Sequence, residues 1–100
     1  MVVDVIDCTK TVLRIVGDLD ALSVSEAAPA LIHFKLSPPA HLHIDATEAS
    51  FLDSTGLAAI GMAADAVRRN GGNVTATASE RAGRLIELCG LNQLIGYEPT

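Results

Sequence analysis

The segment Asp53-Ser54-Thr55-Gly56-Leu57 holds the residues whose types and order could support chemistry in this sequence of 100 residues. Apolar residues recur at helical spacing after it, which predicts a helix with Asp53 or Ser54 as its N-cap. The same geometry sets a hydroxyl beside the unpaired backbone N–H groups of the first helical turn, where a phosphoryl group would be tolerated. The segment therefore predicts a helix cap, a modifiable hydroxyl, or both at once.

A second group of polar residues, His41-x-His43-x-Asp45, predicts one face of a strand, because side chains two residues apart in a strand point the same way. Such a set could bind a divalent metal. Successive ligands on one straight strand stand about 7 Å apart, which is too far for all three to share one ion. We therefore expect a polar strand face, either open to solvent or covered by a helix, and no metal site.

The motifs of common enzymes are absent from the sequence. It has neither a glycine-rich phosphate loop ending in Gly-Lys-Ser/Thr nor a G-x-G-x-x-G fingerprint. Ser54 lacks the flanking glycines of a nucleophile elbow, and nothing in the sequence places a histidine beside it. These absences argue against a hydrolase, and we expect no bound cofactor.

Two cysteines, Cys8 and Cys89, stand near opposite ends of the sequence without CxxC or Cys/His spacing. They predict two reduced thiols in a reducing compartment, each packed as an inert core residue. A disulfide and a redox switch are the alternatives, since exposure and the pKa of the thiol decide its reactivity.

The hydrophobic pattern predicts an α/β fold, with a mixed β-sheet of four to five strands and helices packed on it. Two β-rich runs at the start predict a hairpin, whose second strand is expected to break at Gly17-Asp18-Leu19-Asp20. A loop is expected from Thr47 to Ser50. The predicted strands run from Val2 to Cys8, from Thr11 to Val16, from His41 to Ala46 and from Asn73 to Ala78.

Three helices are predicted between and after these strands. Ser23-x-x-Glu26 is a capping-box pattern, but Pro29 would interrupt the first turns, so the regular helix is expected to begin near Ala28. Ser37-Pro38-Pro39 ends it. Ser79 is expected to cap the third helix, which ends at Gly90. The predicted inward residues are Leu57, Ile60, Gly61, Ala64 and Val67 on the second helix, and Ala82, Leu85, Ile86 and Cys89 on the third.

Charge and composition exclude several classes of partner. Seven Lys and Arg against 12 Asp and Glu give a net charge of −5, without the concentrated basic patch that nucleic acids or anionic lipids require. The sequence lacks the roughly 20 consecutive apolar residues of a membrane span, and its first residues lack the basic region of a signal peptide. We expect a single cytoplasmic domain, with its oligomeric state left open.

Three stretches of the sequence together resemble the STAS family, and within it the bacterial anti-sigma factor antagonists. Gly17-Asp18-Leu19-Asp20 is similar to the Gly-Glu-Leu-Asp that follows the family's second strand. Ile44-Asp45-Ala46 with Phe51 to Leu57 is similar to the strand and the Asp-Ser-Ser/Thr-Gly-Leu helix start. Ser79 to Leu94 is similar to the third helix and the Gly-Leu after it. The resemblance covers almost the whole chain and implies a single STAS domain over residues 1–100.

The resemblance implies a switch by phosphorylation of Ser54, with Thr55 as a second candidate acceptor. In the family, the unmodified antagonist binds an anti-sigma factor, which is a serine kinase, and thereby releases a sigma factor. Phosphorylation blocks this binding and a phosphatase restores it. The implied partner-binding residues are Asp18, Asp20, Asp53, Ser54, Thr55, Gly56 and Leu57.

Other functions remain open beside this one. Some small STAS proteins are subunits of bacterial lipid-transport ABC complexes, although these tend to have Thr at the position of Ser54. A partner-binding scaffold that is never phosphorylated, with or without redox control, is another alternative, and a nucleotide-binding protein is a third. The family usually ends with a last strand and a further helix, where this sequence has Gly96-Tyr97-Glu98-Pro99-Thr100.

Overall fold

The computed structural model of the protein describes residues 2–5 and 9–97, with side chains from residue 9 onward. Cys8 and the last three residues therefore lie outside the described residues. The described strands are β1 (Val2–Val5), β2 (Lys10–Leu19), β3 (His41–Leu52) and β4 (Asn73–Ala78). The described helices are α1 (Ala21–Leu36), α2 (Ser54–Arg69), α3 (Glu80–Leu88) and α4 (Asn92–Ile95). The predicted order of strands and helices is confirmed, and α4 is added to it.

Within the described residues the strands form one sheet in the order β1-β2-β3-β4. β1 lies antiparallel to β2, which confirms the predicted hairpin. β2, β3 and β4 are parallel, so the parallel part of the sheet comprises three strands and β1 adds an antiparallel edge. The α/β class and the mixed sheet are therefore as expected.

The core lies between the sheet and the helices, and alternation along the strands fills it as predicted. Leu13 and Ile15 of β2 and Leu42 and Ile44 of β3 are fully buried. All five inward residues predicted for α2 are buried as well. This helix begins and ends where the sequence places it, with Gly71 at a φ of 80° after its last turn.

Both central strands run further than the sequence predicts. β2 does not stop before Gly17 but continues to Leu19, because glycine adopts a φ of 77° there and irregularities in the register absorb the bend. β3 does not give way to a loop at Thr47 but continues to Leu52, pairing with the extended part of β2. β4 stops opposite Ala46, so among the described strands β2 alone pairs with the last six residues of β3.

The first helix begins earlier than expected, at Ala21, and the predicted capping box is wrong. Asp20 is the N-cap, and its carboxylate accepts a hydrogen bond from the peptide N–H of Ser23. Ser23 therefore lies inside the first turn. Pro29 is accommodated within the helix, where it removes one donor without ending the regular structure. The helix ends at Leu36, before the two prolines, as predicted.

The residues that follow α3, as far as Tyr97, pack against the rest of the fold. Ile95 of α4 is fully buried, and Tyr97 forms an isolated parallel bridge with Ala76 of β4. α3 begins after Ser79 as predicted, but Cys89 at its C-terminal end is exposed, which corrects its expected core position. In the part of the chain that the structure describes, no helix is both long enough and apolar enough to span a bilayer.

Candidate functional site

Two helices begin side by side at the carboxyl ends of β2 and β3. Leu19 and Leu52 are paired in the sheet, and each is followed by an aspartate that caps the next helix. Asp20 Oδ1 accepts from the Ser23 N–H at 3.0 Å at the start of α1. Asp53 Oδ1 accepts from the Gly56 N–H at 2.7 Å at the start of α2. Of the two caps that the sequence allowed for α2, the structure selects Asp53.

Leu19 fixes the start of α2 against the end of β2. Its carbonyl oxygen accepts a hydrogen bond from the peptide N–H of Asp53 at 3.1 Å. A Cβ atom built on Gly56 would lie 2.5 Å from the same carbonyl oxygen and 2.7 Å from the Leu19 Cγ. Only glycine lets the first turn of the helix approach the strand this closely, so Gly56 determines where the neighbouring hydroxyls stand.

Ser54 and Thr55 occupy the first two positions of α2, and both are exposed. The N–H groups of Gly56 and Leu57 are taken by Asp53, through its carboxylate and its carbonyl oxygen. The N–H groups of Ser54 and Thr55 have no acceptor among the described residues. An exposed hydroxyl thus stands beside two unpaired donors at the positive end of a 16-residue helix, an arrangement that favours an anionic group.

Three aspartates give this end of the sheet a negative charge. Asp18 is exposed at the end of β2, whereas Asp20 and Asp53 are half-buried by their capping roles. Hydrogen bonds from the backbone N–H and the hydroxyl of Ser23 lower the pKa of Asp20. A phosphate on Ser54 would add about two negative charges to a surface that is already acidic.

Gly56 and Leu57, which the sequence groups with the partner-binding residues, point inward. Leu57 is only 5% exposed and belongs to the core, and Gly56 is buried against Leu19. Their contribution to any surface at this end of the sheet is to position Ser54 and Thr55, which precede them.

Two apolar side chains near Ser54 were not singled out from the sequence. Phe51 is 53% exposed and pairs with Asp18 in the sheet, and Leu22 in the first turn of α1 is 68% exposed. The alternation of Phe51 with the buried Leu52 is the signal that could have indicated its outward direction. Exposed apolar groups beside charged ones are typical of surfaces that bind protein partners.

The second polar group of the sequence forms a hydrogen-bonded face. His43 Nδ1 lies 2.7 Å from Thr75 Oγ1, and His41 Nε2 lies 3.2 Å from the same hydroxyl oxygen. Asp45 instead accepts from the backbone and hydroxyl of Thr47 and lies 3.8 Å from the Arg14 guanidinium. All three side chains are half-buried, and no group of three metal-ligating side chains occurs among the described residues.

The ionisation of this face follows from its surroundings. Burial lowers the pKa of His43, with Lys10 and His41 acting in the same direction and Asp45 opposing them. Hydrogen bonds from Thr47 lower the pKa of Asp45, and the nearby Arg14 adds to the effect. At neutral pH the neutral form of His43 and the ionised form of Asp45 are therefore favoured in the folded protein.

Comparison with known proteins identifies the relatives of this chain. The STAS domain family model matches residues 1–100. The anti-sigma-B factor antagonist of Staphylococcus epidermidis is 30% identical over 84 residues, which cover 83% of this chain and 78% of the relative. The corresponding protein of a second Staphylococcus epidermidis strain, ATCC 12228, matches equally well.

Solved structures show the same fold. The anti-sigma factor antagonist SpoIIAA in its unphosphorylated form superposes with a TM-score of 0.76 at 17% identity, covering 92% of this chain and 82% of that chain. The Bacillus cell fate determinant SpoIIAA in the phosphorylated form gives a TM-score of 0.73 at 16% identity, covering 92% and 85%. At these identities the likeness establishes the architecture alone.

Proposed function

Because this chain belongs to the STAS domain family, we propose that it acts as an anti-sigma factor antagonist controlled by phosphorylation of Ser54. The unmodified protein would bind an anti-sigma factor with kinase activity and so free a sigma factor for transcription. Phosphorylation would end this binding, and a phosphatase would restore it. The chain is then the substrate of its kinase rather than an enzyme, and residues 1–100 act as one domain.

The observation that carries the proposal is the exposed Ser54 hydroxyl at the first position of α2. It is accessible to a kinase, and it stands beside two backbone donors that can receive a phosphate. The relatives supply the partner class, since the staphylococcal protein is named an antagonist of an anti-sigma factor. The two SpoIIAA structures add that a protein of this fold exists in both unphosphorylated and phosphorylated forms.

Electrostatics accounts for the size of the effect that such a switch needs. A hundredfold loss of affinity corresponds to about 2.8 kcal/mol. About two added charges in a desolvated interface that already contains Asp53 can supply this energy. Loss of one capping hydrogen bond is worth only about 1 kcal/mol and would not be sufficient. Repulsion by the phosphate, rather than disruption of the helix start, is therefore the proposed cause of release.

The first experiment is mass spectrometry after incubation with ATP and the anti-sigma factor kinase encoded nearest to this protein's gene. We expect one added phosphate, which peptide mapping places on Ser54. Ser54→Ala should abolish the modification, and Thr55→Ala, one position along the same exposed turn, should leave it in place. Modification of Thr55 alone would identify Thr55, rather than Ser54, as the phosphorylated residue.

A binding measurement separates the switch from a constitutive scaffold. Calorimetric titration of the kinase should give similar affinities for the unmodified protein and for Ser54→Ala, because the alanine adds no charge. Ser54→Asp should bind at least about tenfold more weakly. Equal affinity of the alanine and aspartate variants would exclude control through Ser54, and absence of any binding would favour the ABC transporter alternative.

A further inference from the structure

Five polar side chains of β3 and β4 form a continuous hydrogen-bonded row on the face of the sheet that points away from the core. The two histidines of the row alternate along β3 with a fully buried leucine and isoleucine. The contacts are Asn73 Nδ2 to His41 Nδ1 at 3.3 Å, His41 Nε2 to Thr75 Oγ1 at 3.2 Å, Thr75 Oγ1 to His43 Nδ1 at 2.7 Å, and His43 Nε2 to Thr77 Oγ1 at 3.3 Å. All four ring nitrogens thus have a neighbour within this set, here called the histidine row.

The hydroxyl and amide groups give the histidine row one direction. The amide nitrogen of Asn73 can only donate, so His41 Nδ1 accepts and His41 carries its proton on Nε2. That N–H donates to the Thr75 oxygen, whose own hydrogen is donated to His43 Nδ1 across the shortest contact of the row. His43 therefore carries its proton on Nε2 as well and donates it to Thr77. Because Thr75 has a single hydrogen to donate, the protonation of one ring constrains the other.

An additional proton fits the histidine row at His41 but not at His43. On His41 the new N–H would face Asn73, which is exposed, so half a turn of its amide presents an oxygen that accepts. Every other bond of the row then stays in place. On His43 the new N–H would face Thr75, which is half-buried and would lose the acceptor of its hydroxyl hydrogen.

We propose that the histidine row takes up one proton under mildly acidic conditions, at His41, and keeps His43 neutral. The uptake adds one positive charge to this face of the sheet, while the bonds that join β3 to β4 through Thr75 and Thr77 remain. The row is therefore a pH-dependent change of surface charge that leaves the sheet intact.

The charged groups around the histidine row do not reverse this order. Lys10 of β2 pairs with His41 in the sheet and opposes a charge there, but it is exposed, so water and salt screen it. Asp45 of β3 favours a charge on His43, but it lies 3.8 Å from the Arg14 guanidinium of β2. Burial outweighs Asp45 and lowers the pKa of His43. The three β4 members of the row carry no charge.

The histidine row goes beyond the proposed switch and does not depend on it. Both histidines lie within the first three residues of β3, whereas Ser54 comes after the last residue of that strand. The two features therefore occupy opposite ends of β3. Ser54→Ala should leave the charging of both histidines unchanged, and substitutions in the row should leave phosphorylation of Ser54 unchanged.

Long-range proton–nitrogen NMR spectra of the full isotope-labelled chain test the proposal, because they show which ring nitrogen carries the proton and when each ring becomes charged. At about pH 8 both neutral rings should carry the proton on Nε2. As the pH falls, His41 should become charged first, and His43 should bind a proton at least about tenfold more weakly. His33, which is exposed on α1, serves as a reference outside the row.

Two variants test the end at which the proton enters. In Asn73→Asp the carboxylate can only accept, so it should hold a proton on His41 Nδ1 and raise the proton affinity of His41 about tenfold or more. Thr77→Val is the matched control, since it alters the opposite end of the row and should leave the charging of His41 unchanged. An unchanged affinity in Asn73→Asp would overturn the assignment of His41 as the entry point.

The order of charging and the state of the sheet decide the rest. Charging of His43 before His41, or a proton on Nδ1 of either neutral ring, would overturn the proposal. Amide hydrogen exchange in β3 and β4 should stay slow at a pH at which His41 is charged and His43 is neutral. Faster exchange of these amides under that condition would show that the proton loosens the sheet, which contradicts the proposed role.

Discussion

The carbonyl oxygen of Leu19 at the end of β2 accepts a hydrogen bond from the peptide N–H of Asp53 at 3.1 Å. This bond joins the end of one strand to the cap of the helix that follows its neighbour. It holds Asp53 where its carboxylate can accept from Gly56, and it brings Gly56 directly against Leu19. The position of the Ser54 hydroxyl thus depends on a close contact between main-chain atoms, and this contact can be tested by substitution.

Gly56→Ala should destabilise the protein by about 1–3 kcal/mol, because the added methyl group would overlap the Leu19 carbonyl. Gly61→Ala on the same helix is the matched control. A Cβ atom there would meet Leu91 and Leu94 at 3.6 and 3.7 Å, which are ordinary contact distances. The control should be neutral or stabilising by up to about 1 kcal/mol, since alanine favours helix. Urea denaturation measures both, and equal stability of the two variants would contradict the proposed role of Gly56.

Asp53→Ala should lower the free energy of unfolding by about 1 kcal/mol through loss of the cap to Gly56. Asp53→Asn keeps an oxygen that can accept from the same N–H, so it should retain most of the stability while it removes the charge. Chemical denaturation of the two variants separates the cap from the charge. An asparagine variant as unstable as the alanine variant would show that the negative charge, rather than the hydrogen bond, stabilises the start of α2.

Stability should fall as the pH drops through the titration range of His43. Its pKa is lowered in the folded protein below the ordinary value of 6.5, so near and below pH 6.5 the unfolded chain binds more protons than the folded one. The contribution of His43 is therefore fully present above that pH and is lost as the pH falls towards the lower folded-state pKa. The groups facing it include Lys10, His41 and Asp45.

His43→Asn tests this dependence, because asparagine can still bond to Thr75 but does not titrate. Thermal unfolding between about pH 8 and pH 5 should show a smaller loss of stability for the variant than for the parent protein. Equal slopes would contradict the assignment to His43. Asp45 affects stability at lower pH. Its pKa is lowered from 3.8 in the folded protein, so its contribution is fully present above pH 3.8 and is lost as the pH falls through the folded-state pKa.

Cys89 should react with a thiol reagent in the folded protein. It is exposed at the C-terminal end of α3, so alkylation does not require unfolding. Brief treatment with iodoacetamide followed by peptide mapping should find Cys89 modified under native conditions, without a change in the circular dichroism spectrum. Cys89→Ser should change the free energy of unfolding by less than about 0.5 kcal/mol. Protection of Cys89 until denaturant is added would contradict its exposed position.

The sequence predicts those parts of the fold that local patterns specify. The bounds of β4, the inward residues of α2 and the cap at Ser79 follow from alternation, helical spacing and turn residues. The extension of β2 to Leu19 could not be predicted in this way, because it depends on pairing with the end of β3. Pro29 argued for a late helix start, yet packing against α2 and the Asp20 cap outweigh the lost hydrogen bond.

In the candidate site, too, the features that local sequence specifies could be predicted, and those that depend on distant contacts could not. The motif at Ser54 is local, and its exposure at the start of a helix follows from the residues around it. Gly56 lies directly against Leu19, which is far from it in the sequence. A contact of this kind cannot be predicted from a local sequence pattern. The direction of Phe51 could be read from alternation only once β3 is known to continue past Thr47.

The spatial order of the strands matches their order along the chain, from β1 to β4. Each strand therefore finds its partner already synthesised, and the sheet can grow from its first edge as the polypeptide leaves the ribosome. The bond between Leu19 and Asp53 needs only β2, β3 and the start of α2, so the surface around Ser54 can assemble before β4 joins the sheet.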